Sequence, residues 1–264
     1  MVDREGTIWA TTLEKGVFVS YSKALIALKR QNDLIGNIQV DSDQVSMLCS
    51  SKKIAYFFRK DSLQTDIIQD SLPRELTALF RTKNSLYLGT KSGLFYAPSK
   101  KRVKIVFGYP AGTAGVLDII KYNGDTLLVL GWNSIYTVYH EKRISNYTLH
   151  TTINFTTILK DGSILVTTRN NDGVYLLKNN TFVPYLPELP QLRTRINAIV
   201  EDHNSRLWFA TETNLYCYDE HHHLHQFNEK NGLANLQIST LAVDEANNIW
   251  GGTSLGLFKI SSTT

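Results

Sequence analysis

Four histidines and two carboxylates fall within seven residues, in the segment Asp219-Glu220-His221-His222-His223-Leu224-His225. Imidazole nitrogens and carboxylate oxygens are the ligands that zinc and nickel take in proteins. The segment also lies where a turn between two strands is expected, and such turns are polar whatever their role. A metal site needs further groups that hold its ligands, and the sequence shows none. We therefore predict a solvated turn and no bound metal or other cofactor. If a metal does bind, the candidate ligands are His221, His223 and His225.

The histidines outside this segment are the other residues that could do acid–base chemistry. A lyase would need a general base beside a metal ion or an acid. His140 and His150 flank one predicted outer strand, whereas His203 lies in the turn after an inner strand, so they do not converge on one site. The sequence also shows no Ser/His/Asp order, no paired carboxylates and no glycine-rich phosphate loop. We predict that the chain is not an enzyme.

A tryptophan in a predicted loop is the best candidate for ligand binding. In the segment LGWNSIYTVY, Trp132 stands where the equivalent loops have a small residue. An exposed indole can stack on the apolar face of a sugar, and Asn133 can bond its hydroxyls. Arginines of nearby loops can bind uronate or sulfate groups in a bidentate way. The alternative is ordinary loop polarity, with the indole packed against a neighbouring residue. The further candidate residues on the same predicted face are Lys91, Arg169, Asn171, Arg193, Arg195 and Glu212.

These loops belong to a repeat of about 40 residues. Asp precedes Trp by six positions in three copies, which end at Trp9, Trp208 and Trp250. Weaker copies extend the series to seven anchor positions: 9, 47, 87, 128, 165, 208 and 250. Each copy contains short runs of β-branched and aromatic residues separated by turn residues, enough for four strands. This pattern predicts an all-β fold, a seven-bladed β-propeller of four-stranded blades, in which the three tryptophans pack between blades.

The two ends of the chain carry incomplete copies of the repeat. The predicted blades span roughly residues 1–35, 36–70, 71–110, 111–150, 151–190, 191–234 and 235–264. The first blade is expected to lack its inner strand and the last blade its outer strand. Because these two strands would be consecutive just before Met1, we expect the chain to be an N-terminally shortened part of a longer protein.

Composition excludes several classes of function. The net charge of +4 is spread along the chain, and the short basic run at residues 100–102 predicts a solvated turn and no nucleic-acid partner. No stretch of 18 apolar residues occurs, so we predict no membrane contact by this segment, and its first residues do not form a signal peptide. Cys49 and Cys217 lie in apolar strands and are predicted to be free core thiols.

The segments DREGTIWATTLEKGVFV, DEANNIWGGTSLGLFKI and NSLYLGTKSGLFY resemble the two-component regulator propeller repeat. The resemblance implies the periplasmic sensor region of an inner-membrane-anchored hybrid two-component system of Bacteroidetes, which often responds to oligosaccharides. Its partners would be an oligosaccharide or other small molecule, the neighbouring domains of the parent sensor and a second copy of the chain. One alternative is a structural or dimer-forming propeller without a direct ligand. The repeat also resembles that of streptogramin B lyase, which leaves a metal-dependent propeller lyase as another alternative.

Overall fold

The computed structural model is built of antiparallel β-sheets. It describes residues 8–12, 16–21, 24–28, 35–41, 44–49, 54–59, 62–67, 76–82, 86–99, 102–109, 115–233, 237–254 and 256–261. Side chains are described from residue 76 onward, and before that only the backbone of the strands. Apart from the first two residues, the chain divides into two compact units, Asp3–Asn146 and Tyr147–Thr264.

The first four sheets begin in the first unit, and each is a meander whose strands pair in sequence order. The first sheet contains β1 (Ile8–Thr12), β2 (Gly16–Tyr21) and β3 (Ala24–Leu28). The second contains β4 (Ile35–Asp41), β5 (Gln44–Cys49), β6 (Ile54–Arg59) and β7 (Ser62–Ile67). The third contains β8 (Leu76–Arg81), β9 (Leu86–Thr90), β10 (Gly93–Ser99) and β11 (Arg102–Gly108). The fourth contains β12 (Asp118–Asn123), β13 (Thr126–Leu130), β14 (Ser134–Tyr139) and β15 (Lys142–Thr148).

The second unit holds three further meanders. The fifth sheet contains β16 (Ile153–Ile158), β17 (Ile164–Thr168), β18 (Val174–Lys178) and β19 (Thr181–Tyr185). The sixth contains β20 (Ile196–Glu201), β21 (Leu207–Thr211), β22 (Leu215–Tyr218) and β23 (Leu224–Phe227). The seventh contains β24 (Ile238–Val243), β25 (Ile249–Thr253) and β26 (Gly256–Ile260). Short 3₁₀ turns, Pro190–Leu192 and Glu229–Asn231, precede the sixth and seventh sheets. The described strands thus form seven sheets, with three strands in the first and in the last, as the repeat predicts.

The burial of the strands follows the apolar pattern of the repeat. Strands β17 and β21, the second strands of their sheets, are buried along their whole length. The outermost strand β15 is mostly exposed. Such meanders bury large apolar areas only when neighbouring sheets cover both faces of the second strand. The core therefore lies between sheets, as it does in a propeller.

Consecutive sheets of a unit are joined by polar side chains near the start of their first strands. The register shifts by one residue there, between Leu76 and Ala78 in β8 and between Ile196 and Ala198 in β20. Side chains at this shift bond a carbonyl near the start of the next first strand. The bonds are Thr77 Oγ1 to Val116 O, Asn154 Nδ2 to Ile196 O and Asn197 Nδ2 to Ile238 O.

The Asp and Trp of the repeat are bonded to each other. Trp208 Nε1 donates to Asp202 Oδ2 at 3.0 Å, and Trp250 Nε1 donates to Asp244 Oδ2 at 2.8 Å. Trp208 is buried together with Ile238 and other residues of the seventh sheet, which confirms its predicted place between blades. Trp250 is partly buried, and the side chain of Trp9 lies outside the described residues.

The cysteines and the basic run at residues 100–102 can be compared with the structure only where their side chains are described. Cys217 is free and buried, as predicted for a core thiol, and burial raises the pKa of its thiol to about 12. The side chain of Cys49 and those of residues 100–102 lie outside the described residues.

Candidate functional site

The turn that carries Trp132 differs from its counterparts in the other sheets. In three sheets a threonine begins this turn, and its hydroxyl bonds the carbonyl three residues later; these are Thr90, Thr211 and Thr253. Gly131 takes that position in the fourth sheet, where its N–H donates to Ser134 O at 2.7 Å. The turn is therefore closed by backbone alone, and its two central residues face outward.

Trp132 and Asn133 form the tip of this turn. Trp132 is 48% exposed, as stacking on a sugar requires, and it is not packed away in the core. Asn133 is also exposed, and its Oδ1 accepts a bond from Ser134 Oγ at 3.1 Å. An aromatic face beside an amide is a common arrangement for binding sugars, and its role as a ligand site stays a prediction.

A packed aromatic cluster supports the turn from below. A Cβ added to Gly131 would lie 2.6 Å from the hydroxyl oxygen of Tyr109, so the backbone there passes close to the tip of that side chain. The ring of Tyr136 is 5.8 Å from Tyr109 and 4.7 Å from Phe107. Burial raises the pKa of Tyr109, which stays a neutral phenol. The Trp132 turn is thus packed against a cluster of aromatic side chains.

A second group of predicted residues lies in the loops of the second unit. Arg195 Nη1 is 3.5 Å from Glu212 Oε1, and both side chains are about half exposed. Arg193 Nη2 donates to Pro187 O at 2.6 Å. Arg193 also lines a cavity of about 190 Å³, together with Asp172 and Gly173 of the loop after β17. The structure therefore pairs Arg195 with Glu212 and places Arg193 beside that loop.

The remaining predicted binding residues, Arg169, Asn171 and Lys91, are exposed. Arg169 and Asn171 lie in the loop between β17 and β18. Lys91 lies in the β9–β10 turn of the first unit. All three are accessible to solvent, and their part in ligand binding stays a prediction.

The histidine segment forms the hairpin turn between β22 and β23. Asp219 Oδ1 accepts the backbone N–H of His221 and that of His223, both at 2.9 Å. Asp219 Oδ2 bonds His225 Nε2 at 2.7 Å. The bond with His225, together with those two amides, lowers the pKa of Asp219 to about 2. Across the described part of the chain, no three His, Cys, Asp or Glu side chains already stand in metal-binding geometry.

The other histidines lie in separate turns with separate partners. His140 Nε2 is 3.8 Å from Asp125 Oδ2, with both side chains mostly exposed. The ring of His150 lies 5.8 Å from that of Tyr175, and the backbone N–H of His203 donates to Asn247 Oδ1.

Sequence reasoning missed a cavity between the sixth and seventh sheets. The cavity has a volume of about 260 Å³. Its lining combines apolar and polar side chains: Arg206, Trp208, Cys217, Asp219, His225, Phe227, Asn247, Ile249, Ile260 and Ser261. The sequence offered one indication of this cavity, because Trp208 and the histidine turn, which both line it, belong to the same copy of the repeat. The facing residues of the seventh sheet are too distant in sequence to be paired from the pattern.

Comparison with protein families supports the predicted resemblance. Residues 191–213 match the family described as two component regulator propeller. That segment runs from the 3₁₀ turn before β20 to the turn after β21 and includes the Asp202–Trp208 pair. The predicted resemblance to this family is thus confirmed, in a copy of the repeat other than the three segments quoted above. A comparison with curated protein sequences finds no significant match.

Comparison with solved structures shows the fold. Virginiamycin B lyase from Staphylococcus aureus, solved as an inactive variant with quinupristin, is 10% identical with a TM-score of 0.78 and covers 98% of this chain and 92% of its own. Two extracellular domains of hybrid two component systems from B. thetaiotaomicron are 16% and 17% identical, with TM-scores of 0.75 and 0.67. They cover 99% and 98% of this chain, which spans only 39% and 37% of theirs. At these identities the likeness establishes the β-propeller fold, whose seven sheets the strands described above supply.

No helix among the described residues is long and apolar enough to cross a membrane.

Proposed function

We propose that this chain is the ligand-sensing or scaffold propeller of a two-component regulator, located in the periplasm and without catalytic activity of its own. The observation that carries the proposal is the regulator propeller repeat at residues 191–213. The extracellular domains of the B. thetaiotaomicron systems support it, because this chain aligns with them over nearly its whole length. The parent protein would supply the membrane anchor and the signalling domains.

The proposed ligand is an oligosaccharide that stacks on Trp132. Three features support this choice: the indole is half exposed, the neighbouring backbone at Gly131 packs closely against the Tyr109 hydroxyl, and the amide of Asn133 is next to it in the turn. Aromatic rings bind the apolar faces of sugars without needing a charged ligand. A uronate or sulfate group would instead favour the arginines of the second unit, Arg193 and Arg195.

The test is titration of the chain with neutral and acidic oligosaccharides of defined length, followed by calorimetry and indole fluorescence. We expect at least one member to bind, and Trp132→Ala to weaken its binding about tenfold, which corresponds to about 1.4 kcal/mol. Tyr139→Ala is the matched control, because Tyr139 is also half exposed but lies at the other end of β14. Unchanged binding by Trp132→Ala would remove this site from the proposal.

Two other outcomes would favour the alternatives. If no oligosaccharide binds, and a dimer persists in sedimentation at the lowest concentrations, the chain is a structural or dimer-forming propeller. The solved lyases align with the chain over 98% of its length, so turnover also has to be measured. Loss of quinupristin in the presence of a divalent cation would favour a lyase, and intact quinupristin is the result we expect.

A further inference from the structure

The β22–β23 turn contains two imidazoles on either side of one carboxylate oxygen. Asp219 Oδ2 lies 2.7 Å from His225 Nε2 and 3.9 Å from His223 Nδ1. In a tetrahedral zinc site, bonds of about 2.1 Å place neighbouring donor atoms about 3.4 Å apart. One of these two distances must therefore lengthen and the other shorten, each by less than about 1 Å. The rings of His223 and His225, whose centroids are 6.4 Å apart, must also turn their nitrogens toward a common point. The side chains of His223 and His225 are 72% and 55% exposed, so their rings have room to make that change.

The carboxylate between these imidazoles is held in place by the backbone. Its second oxygen, Oδ1, accepts the N–H groups of His221 and His223, so the first oxygen keeps a fixed direction toward the two rings. Groups that orient a ligand in this way are what separates a metal site from a chance cluster of donors. The turn itself is closed by two backbone bonds, from Asp219 N to His223 O and from His222 N to Asp219 O.

We propose that Asp219, His223 and His225 bind a divalent transition-metal ion, with Zn²⁺ as the probe. The structure also says which neighbouring histidines stay out of the site. His221 Nε2 lies 3.7 Å from Glu220 Oε1, whereas the ring nitrogens within 4 Å of Asp219 Oδ2 are those of His223 and His225. The Nδ1 atom of His222 is bonded to the hydroxyl of Tyr218 at 2.9 Å. The ligand set thus contains Asp219, which replaces the His221 of the sequence-based candidates.

The fourth coordination position would be open to the cavity of about 260 Å³. Asp219 and His225 line that cavity from the sixth sheet, whereas Asn247, Ile260 and Ser261 line it from the seventh. A bound ion would therefore stand beside both sheets. Because an ion that binds only the folded chain adds to its stability, Zn²⁺ should raise the melting temperature as well as bind.

The experiment uses the full chain without an affinity tag, freed of metal by a chelator and titrated with Zn²⁺ by calorimetry. We expect one ion per chain and a rise in melting temperature. Asp219→Asn, His223→Ala and His225→Ala should each weaken binding roughly tenfold or more. Asp219→Asn is the sharpest variant, because the amide oxygen still accepts the two backbone N–H bonds, whereas its nitrogen has no lone pair for a metal.

His221→Ala and His203→Ala are the matched controls, since each removes an exposed histidine from a turn of the same sheet. Both should bind Zn²⁺ as the parent chain does. Equal binding by Asp219→Asn, or an equal loss in His221→Ala and His223→Ala, would overturn the proposed site and indicate non-specific histidine binding. Circular dichroism without zinc shows whether each variant is folded. If Zn²⁺ binding is lost only in variants that are unfolded, that result also counts against the site.

Discussion

At the scale of single residues, the side chain of Asp202 accepts four hydrogen bonds, as does that of Asp244, its counterpart in the next copy of the repeat. Asp202 is fully buried and accepts bonds from Trp208 Nε1, from Arg206 Nε and from the backbone N–H groups of Asn204 and Arg206. A buried carboxylate is tolerated only when its oxygens are bonded in this way. The Asp of the repeat therefore holds both a turn and the tryptophan that packs against the next sheet.

We predict that Asp202→Asn lowers the free energy of unfolding by about 2–3 kcal/mol. The amide nitrogen would face Arg206 Nε and Trp208 Nε1, which are donors, so charge-assisted bonds would become donor–donor contacts. Asp161→Asn is the control, because that exposed carboxylate bonds only Ser163 and an amide can replace it. Denaturant unfolding measures both variants, and an equal loss in the two would contradict the special role of Asp202.

The repeat aspartates also predict how stability depends on pH. Burial raises the pKa of Asp202, but the bonds from Trp208 and Arg206 outweigh it and hold the pKa below its ordinary value. The pKa of Asp244 is lowered in the same way, against burial, by Trp250 and Asn248. A folded-state pKa below the unfolded value of about 3.9 stabilises the chain above that pH and ceases to do so as pH falls further.

We therefore expect the unfolding midpoint to be steady from pH 7 to about pH 5 and to fall below about pH 4. The double variant Asp202→Asn, Asp244→Asn should start lower and depend less on pH in the acid range, because two of the groups that take up protons are gone. Denaturant titrations at pH 6, 4 and 3 make the comparison. Parallel curves for the parent and the double variant would show that other carboxylates set the acid limit.

The sequence predicted part of this residue-scale structure. The six-residue spacing of Asp and Trp predicted a turn aspartate and a buried tryptophan, and both are present in the sixth sheet. It did not predict that the two side chains bond each other, because spacing along a chain does not show which way a turn directs its carboxylate. For the same reason it did not predict that the turn places the Asp219 carboxylate beside the rings of His223 and His225.

At the scale of elements, the shifted register near the start of β20 creates a link to the next sheet. The residue at the shift, Asn197, donates its Nδ2 to Ile238 O at 2.9 Å. Asn154 and Thr77 make the same link from the fifth and third sheets. A bulge re-aims one side chain without ending the strand pairing, so the third, fifth and sixth sheets can each bond the sheet that follows them.

We predict that Asn197→Ala lowers the free energy of unfolding by about 1–2 kcal/mol, since it removes a bond and leaves the carbonyl of Ile238 without that donor. Ser239→Ala is the matched control. Ser239 has the corresponding position in β24, but its hydroxyl bonds Gly252 O within its own sheet and is exposed. The control should change stability by less than about 0.5 kcal/mol. Both variants are measured by thermal and by denaturant unfolding. If Asn197→Ala and Ser239→Ala lower the free energy of unfolding equally, the link between sheets adds nothing to stability.

These links could not be predicted from the sequence. A polar residue second in the first strand is visible in the segments LTALF, INFTT and INAIV. Its partner lies about 40 residues away, one whole repeat along the chain, and alternation of polar and apolar residues gives no information over that distance. The four-strand content of a copy was predictable because strand patterns and turn residues are local.

At the scale of the whole molecule, the even spacing of the seven anchors was sufficient to predict the fold. Seven meanders are what the strands form, and propellers of solved structure align with nearly the whole chain. The candidate binding site was less predictable, because loops diverge from the repeat where ligands would bind. Trp132 stood out only because it breaks the repeat, and its exposure depends on the backbone closing the turn at Gly131.

The last strand of the seventh sheet, β26, bears on whether the chain associates with itself in solution. In the described structure β26 pairs with β25 on one side only, and Leu257 on it is 50% exposed. A strand edge with unpaired N–H and C=O groups and an exposed apolar side chain is a site for pairing with a second chain. The outer strand of the fourth sheet, β15, is better protected, because Lys142 and Arg143 are exposed on it beside Ile144.

We predict that the chain associates with itself as its concentration rises, and that Leu257→Lys reduces this association with little change in the free energy of unfolding. Ile144→Lys, which replaces an even more exposed apolar residue, should have a smaller effect because the edge of β15 already carries two positive charges. Sedimentation velocity over a range of concentrations measures both. If the two variants reduce association equally, exposed apolar area in general drives it, and the open edge of β26 does not.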